Sequence, residues 1–211
     1  MARFKSDANM DFTHRFVPAQ ESPPQRVLLL LHGTGGDEND MLPLGHELDP
    51  AAALLSPRGK ILENGMPRFF RRLAEGVFDE ADVVRRANEL ANFVGAAAAH
   101  YEFDPRQVTA VGYSNGANIA AAVLLLRPEV LTSAILLRAM VPLVPLKPPE
   151  LAHARVLISS GAHDPIAPIE NAERLAAMLR EAGANVTLRF EAAGHALAPG
   201  DLAAAKEWLR E

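Results

Sequence analysis

Residues 110–117 read Ala-Val-Gly-Tyr-Ser-Asn-Gly-Ala, and within them Gly112-x-Ser114-x-Gly116 stands between two apolar runs. A serine so placed can attack a carbonyl carbon if two conditions are met. A sharp strand-to-helix turn must lift its hydroxyl clear of the backbone, and a base must take its proton. The flanking glycines answer the first condition, because a strand and a helix that meet this closely leave no room for Cβ atoms. The second is answered further along the chain. Asp164 lies in Ser159-Ser-Gly-Ala-His-Asp164-Pro, and His195 lies in Glu191-Ala-Ala-Gly-His195. A histidine oriented by a carboxylate is a competent general base for serine, and the chain order Ser, Asp, His suits a nucleophile on such a turn. The chemistry expected is acyl transfer through a covalent serine intermediate. A histidine base also predicts loss of activity on the acid side.

The chain has seven histidines. His14 falls in the first strand, too early for the base. His46, His100 and His153 fall in helices or near their ends, and His163 precedes Asp164, so its order is wrong. Only His195 follows the last strand. No histidines are paired at i, i+4 and there is no HExxH, so no metal site is expected.

The stretch Leu31-His32-Gly33-Thr34-Gly35-Gly36-Asp37 follows the apolar run Val27–Leu31. It is neither GxxxxGK[ST] nor GxGxxG, and Asp37 and Glu38 would repel a phosphate. A His-Gly loop after an early strand instead suits one backbone donor of an oxyanion hole, with the second from the residue after the nucleophile. The donors expected are the N–H groups of Thr34 and Asn115, with Gly35 an alternative to Thr34. His32 is expected to support the loop.

These residues need a scaffold. Val27–Leu31, Ala51–Leu55, Val108–Val111, Ala134–Leu137 and Val156–Ile158 are short apolar runs of the kind buried on both faces of a parallel sheet, while Thr13–Val17 and Val186–Phe190 alternate as edge strands do. Helical periodicity marks Glu80–Val94, Asn118–Leu126, Ile169–Leu179 and Leu202–Leu209. Strands alternating with helices imply an α/β fold with a mainly parallel central sheet and helices on both faces. Ser56–Asp79 and the Pro-rich Arg138–Glu150 read as irregular loops over one end of the sheet. Ser114, Asp164 and His195 each follow a strand, which places all three beyond the carboxyl ends.

The 211 residues fit one domain, residues 1–211, with 1–12 expected to be a flexible N-terminal segment. Charged residues make up 22% and the net charge is −5, which argues against nucleic acid or an anionic membrane as partner. There is no cysteine, so disulfides, cysteine-based metal sites and a thiol nucleophile are excluded. No apolar run is long enough for a membrane span and no signal peptide is evident, so a soluble cytoplasmic protein is expected.

LHGTGGDEND (31–40), SPRG (56–59), GYSNGA (112–117), SGAHDPIAP (160–168) and GH (194–195) together resemble the α/β-hydrolase superfamily, and within it the bacterial phospholipase/carboxylesterase family related to acyl-protein thioesterases. ENGMPRFFRR with Phe78-Asp79 is similar to a bacterial esterase subgroup. The resemblance implies a Ser114–Asp164–His195 triad, oxyanion donors Thr34 and Asn115, cofactor-free hydrolysis of small-molecule carboxylic esters or thioesters, and often a homodimer. Acyl-protein thioesterases usually carry Gln after the nucleophile where this chain has Asn115, and Ala117 stands where they have glycine.

Only about seventeen residues, Arg138–Ala154, separate two strands where lids are commonly inserted, too few for a separate lid domain. The pocket is expected between the two irregular segments, with Met66, Phe69, Phe70, Met140 and Val141 as candidate substrate contacts and Phe78 and Leu143 nearby. The competing assignment for each is a core or dimer contact. Arg68, Arg71 and Arg72 read as surface ion-pair formers, with contact to an anionic substrate group as the alternative. The expected function is that of a serine carboxylesterase acting on small to medium esters. An acyl thioesterase or lysophospholipase, a perhydrolase on the same residues, and an inactive binding protein of the same fold remain open.

Overall fold

The computed structural model describes residues 10–20 and 23–211. Most of the N-terminal segment expected to be flexible, residues 1–9, lies outside them. In chain order the elements are β1 (His14–Val17), β2 (Val27–Leu31), α1 (Leu42–Leu48), β3 (Ala53–Pro57), β4 (Ile61–Glu63), β5 (Met66–Arg68), β6 (Arg72–Ala74), β7 (Val77–Phe78), α2 (Glu80–Tyr101), β8 (Val108–Tyr113), α3 (Asn115–Leu126), β9 (Ser133–Leu137), β10 (Arg155–Gly161), α4 (Ile169–Glu181), β11 (Asn185–Glu191) and α5 (Pro199–Arg210). A seven-stranded sheet runs β1-β3-β2-β8-β9-β10-β11. Only β1 is antiparallel, paired with β3 so that His14 faces Pro57; the other pairings are parallel.

The continuous apolar strands are explained by burial on both sides. Leu29 and Leu31 of β2 pack into one core with α2, α3 and α4. Leu28 and Leu30 turn to a second core with Trp208 and Leu209 of α5 and with Met41 and Leu48 at the two ends of α1. Alternate residues of one strand thus serve two layers, as the pleat requires. No helix of the described residues is long and apolar enough to cross a membrane.

Two segments carry more regular structure than the sequence periodicity marks. Leu42–Leu48 forms a helix, although Pro43 and Gly45 weaken its signal. Pro43 falls in the first turn, where no N–H is missed, and Gly45 is buried where a Cβ would meet Leu30 at 2.8 Å. Ser56–Asp79 is not irregular throughout. It folds into two small antiparallel hairpins, β4–β5 and β6–β7, whose strands of two or three residues are too short to leave a periodic trace.

Candidate active site

Ser114 joins β8 to α3 with φ +52° and ψ −113°, a conformation that ordinary L-residues avoid. Ser114 N–H donates to Leu137 O of the neighbouring β9 at 2.8 Å, and Asn118 N–H donates to Ser114 O at 3.0 Å as the helix begins. A Cβ on Gly112 would lie 2.5 Å from Gly116 O, and one on Gly116 would lie 1.9 Å from Leu31 O. Strand, helix and the neighbouring β2 therefore meet backbone to backbone.

Asp164 follows β10 and His195 follows β11. His195 Nδ1 lies 2.8 Å from Asp164 Oδ2, and His195 Nε2 lies 2.9 Å from Ser114 Oγ. The Asp164 side chain is fully buried. Burial pushes its pKa up, but hydrogen bonds from Ala167 N–H, His195 and Ile166 N–H outweigh that and hold the carboxyl below its ordinary value. An ionised carboxylate only accepts, so the proton between it and the imidazole belongs on Nδ1. That leaves Nε2 free to accept from the Ser114 hydroxyl.

Beside these atoms lies a cleft of about 320 Å³, lined among others by Thr34, Asn115 and Met140. Asn115 opens α3, where N–H groups have no partner within the helix. Gly35 N–H is committed to Pro67 O at 2.9 Å, whereas among the described residues Thr34 N–H has no backbone acceptor. Of the two loop donors considered, Thr34 is thus the one available. His32 is buried and neutral in character: burial lowers its pKa against the pull of the Gly33 carbonyl and nearby acids. Its Nδ1 bonds Gly33 O at 2.6 Å and its Nε2 accepts from Gly59 N–H at 2.9 Å, tying the loop to the chain after β3.

A model of the family described as phospholipase/carboxylesterase matches residues 12–211. The chain belongs to that family. Within reach of it are MhqD of Bacillus subtilis (strain 168), 47% identical over 192 residues that cover 91% of this chain and 96% of that one. The crystal structure of the Bacillus cereus carboxylesterase is 46% identical, covers 97% of this chain and 96% of its own, and superposes with a TM-score of 0.92. A carboxylesterase structure from Mesorhizobium loti is 31% identical over 94% of each chain, with a TM-score of 0.89. This phospholipase/carboxylesterase chain therefore has the α/β-hydrolase fold expected from its motifs.

Of the apolar residues expected to line the pocket, only Met140 and Phe78 do so. Phe69 and Phe70 are buried in the core around α2 and α3, and Val141 packs against the same core. Consecutive Phe69 and Phe70 are both turned inward: Phe69 N–H donates to Asn115 Oδ1 at 2.7 Å, and Phe70 packs edge-on to Phe78 at 5.2 Å. Met66 is 40% exposed on the β4–β5 hairpin and lies outside the cleft lining. The arginines also divide. Arg71 is exposed and pairs with Asp79, as a surface ion pair does. Arg72 pairs with Glu63 at 2.8 Å and lines the cleft. Arg68 is not a surface residue: it is 3% exposed and donates from Nη1 to Thr34 Oγ1 at 2.6 Å.

The sequence reading missed Arg138 and Asp201. Their side chains are fully buried and joined by two hydrogen bonds, Nη1 to Oδ1 at 2.8 Å and Nη2 to Oδ2 at 2.7 Å. Arg138 also donates to Gly194 O at 3.0 Å, Ala196 O at 2.9 Å and Ser159 O at 3.2 Å. All five guanidinium donors are thereby used. Tyr113 hydroxyl donates to His195 O at 3.1 Å, so three successive carbonyls around the imidazole are held by side chains from β8 and the end of β9. Asp201 additionally accepts from Ser159 Oγ at 2.6 Å and Ala198 N–H at 2.7 Å. Burial raises its pKa, but Arg138 and these donors bring it below the ordinary value. The available signal was a charge directly after the apolar strand, in Ile135-Leu-Leu-Arg138-Ala-Met.

Proposed function

We propose that the chain is a serine carboxylesterase in which Ser114, His195 and Asp164 act together. The observation that carries this is the unbroken series of contacts, Asp164 Oδ2 to His195 Nδ1 at 2.8 Å and His195 Nε2 to Ser114 Oγ at 2.9 Å, at the wall of an open cleft. His195 Nε2 takes the Ser114 proton as Oγ bonds to the ester carbonyl carbon. The carbonyl oxygen becomes an oxyanion, with the N–H groups of Thr34 and Asn115 as its donors. The tetrahedral intermediate collapses by breaking the bond to the leaving oxygen, which receives the proton from His195. A water then gives a proton to His195 as it attacks the acyl-enzyme. Its collapse releases the carboxylic acid and returns the proton to Ser114. Asp164 keeps the imidazole in the correct tautomer and stabilises it when charged. The small cleft and the absence of a lid segment between β9 and β10 favour small to medium esters over interfacial lipids.

Hydrolysis of a p-nitrophenyl series from acetate to palmitate, by wild type and Ser114→Ala, tests this. Wild type is expected to turn over the shorter esters, and Ser114→Ala to lose about 10⁴–10⁶ in kcat. A folded wild type inert on every ester would favour the binding-protein alternative.

A further inference from the structure

Arg68 stands in an unusual setting for a guanidinium. It ends β5 with its side chain only 4% exposed, yet it lines the cleft together with Ser114 and His195. Its Nε donates to Phe70 O at 3.2 Å and its Nη1 to Thr34 Oγ1 at 2.6 Å, while Nη2 donates to no acceptor among the described residues. The acid beside it is Glu63, at 3.3 Å, and Glu63 also receives Arg72 at 2.8 Å. Two guanidinium groups therefore share one carboxylate, which leaves one positive charge over in the wall. Arg138, the third arginine of the lining, has every donor engaged and is neutralised by Asp201. Glu75 is the one carboxylate in the lining; it is exposed, where water and salt screen it. Burial lowers the Arg68 pKa against the pull of Glu63, and Arg72 lowers it further, so the group carries its charge at a cost. A buried cation that is only half paired is destabilising unless something else meets it.

We propose that this cleft selects carboxylic esters that carry a second, free carboxylate, which Arg68 receives. The proposal rests on the esterase reading above for its chemistry, and adds the substrate class. A planar guanidinium with an unused edge suits a carboxylate better than any neutral group. Arg68 touches Thr34, the expected oxyanion donor, so an anion held on Arg68 lies a short chain of atoms from the carbonyl that Ser114 attacks. Half-esters of short dicarboxylic acids carry their free carboxylate a few bonds from the ester carbonyl, and they fit about 320 Å³. The competing role for Arg68 is support of the Thr34 loop, which would aid every ester equally.

The experiment compares monoethyl succinate with ethyl butyrate, followed by proton release in a pH-stat, for wild type, Arg68→Gln and Arg68→Lys. The quantity read is the ratio of kcat/KM for the two esters, which cancels any general loss of activity. One charge-assisted hydrogen bond predicts a wild-type ratio of about tenfold or more in favour of the half-ester. The ratio should fall with added salt, collapse toward unity in Arg68→Gln, and be partly kept in Arg68→Lys. A wild-type ratio at or below unity overturns the proposal while leaving the esterase reading standing, and it needs no folded variant. An unchanged ratio in Arg68→Gln overturns it as well. If wild type hydrolyses neither ester, the p-nitrophenyl series above judges the esterase reading, and calorimetric titration with succinate decides the anion site alone. Binding that Arg68→Gln abolishes supports it; no binding to wild type overturns it.

Discussion

The Ser114 turn and the His195 loop lie side by side and are held by different physics. At Ser114 the backbone is forced: φ is +52°, and Gly112 and Gly116 sit where any Cβ would strike backbone atoms. Little charge is involved. The segment around His195 has no regular structure, and the carbonyls of residues 194, 195 and 196 are each held by a side chain, two of them by a fully buried arginine. One half of the site is positioned by exclusion of atoms, the other by buried charge. The difference teaches that a strand-to-helix junction can impose geometry by itself, whereas a loop after an edge strand has to borrow rigidity from beneath.

The comparison can be broken most severely at Gly116. Gly116→Ala should destabilise the fold by more than about 5 kcal/mol, beyond the usual overpacking cost of about 1–3, because the obstacle is the Leu31 backbone rather than a movable side chain. Urea unfolding, or failure to obtain folded protein, reads this. Next comes Arg138→Met, which strands the Asp201 charge in the interior and should cost about 3–5 kcal/mol. Adding Asp201→Leu should restore part of that loss, since removing both charges also removes the desolvation penalty. No such rescue by a second substitution is available at Gly116. A double-mutant cycle in urea measures the contrast.

How far each half could be read beforehand follows the same division. Ser114, Asp164 and His195 were legible because glycine spacing and chain order after strands are local signals. Nothing local separates Thr34 from Gly35; the tertiary bond from Gly35 N–H to Pro67 O does. Arg138 and Asp201 are 63 residues apart, and each is an ordinary charge in its own segment, so nothing local announces their pairing. Arg68 misled for the opposite reason. It belongs to a run of arginines that looks like surface, and its burial depends on hairpins too short to carry a period. The apolar pair Phe69-Phe70 was equally ambiguous, since core and pocket wall demand the same residue types.

A pH titration of stability sharpens the contrast further. Asp201 and Asp164 have folded pKa values below their ordinary ones. The stability they contribute is fully present above the unfolded value near about 3.9 and is lost as pH falls through the lower folded values. Acid unfolding of wild type should therefore set in below the ordinary carboxylate range. In Arg138→Met, Asp201 loses its principal neutralising partner and burial pushes its pKa up, so acidification should relieve part of the variant's deficit and its stability gap to wild type should narrow as pH falls. Thermal melts between pH 2 and 6 check both statements. The smallest effect is expected at Tyr113. Tyr113→Phe removes one hydrogen bond to His195 O and should cost about 0.5–1.5 kcal/mol, because Arg138 still holds the carbonyls on either side.

The central claim is that Ser114 forms the acyl-enzyme with His195 as its base. The most direct measurement is intact-protein and peptide mass after treatment with a fluorophosphonate, which phosphonylates a serine activated by a neighbouring base. The account predicts one adduct per chain, on the peptide containing Ser114, absent from Ser114→Ala and strongly slowed in His195→Ala. A folded wild type that stays unmodified, or an adduct that persists in Ser114→Ala, would contradict it.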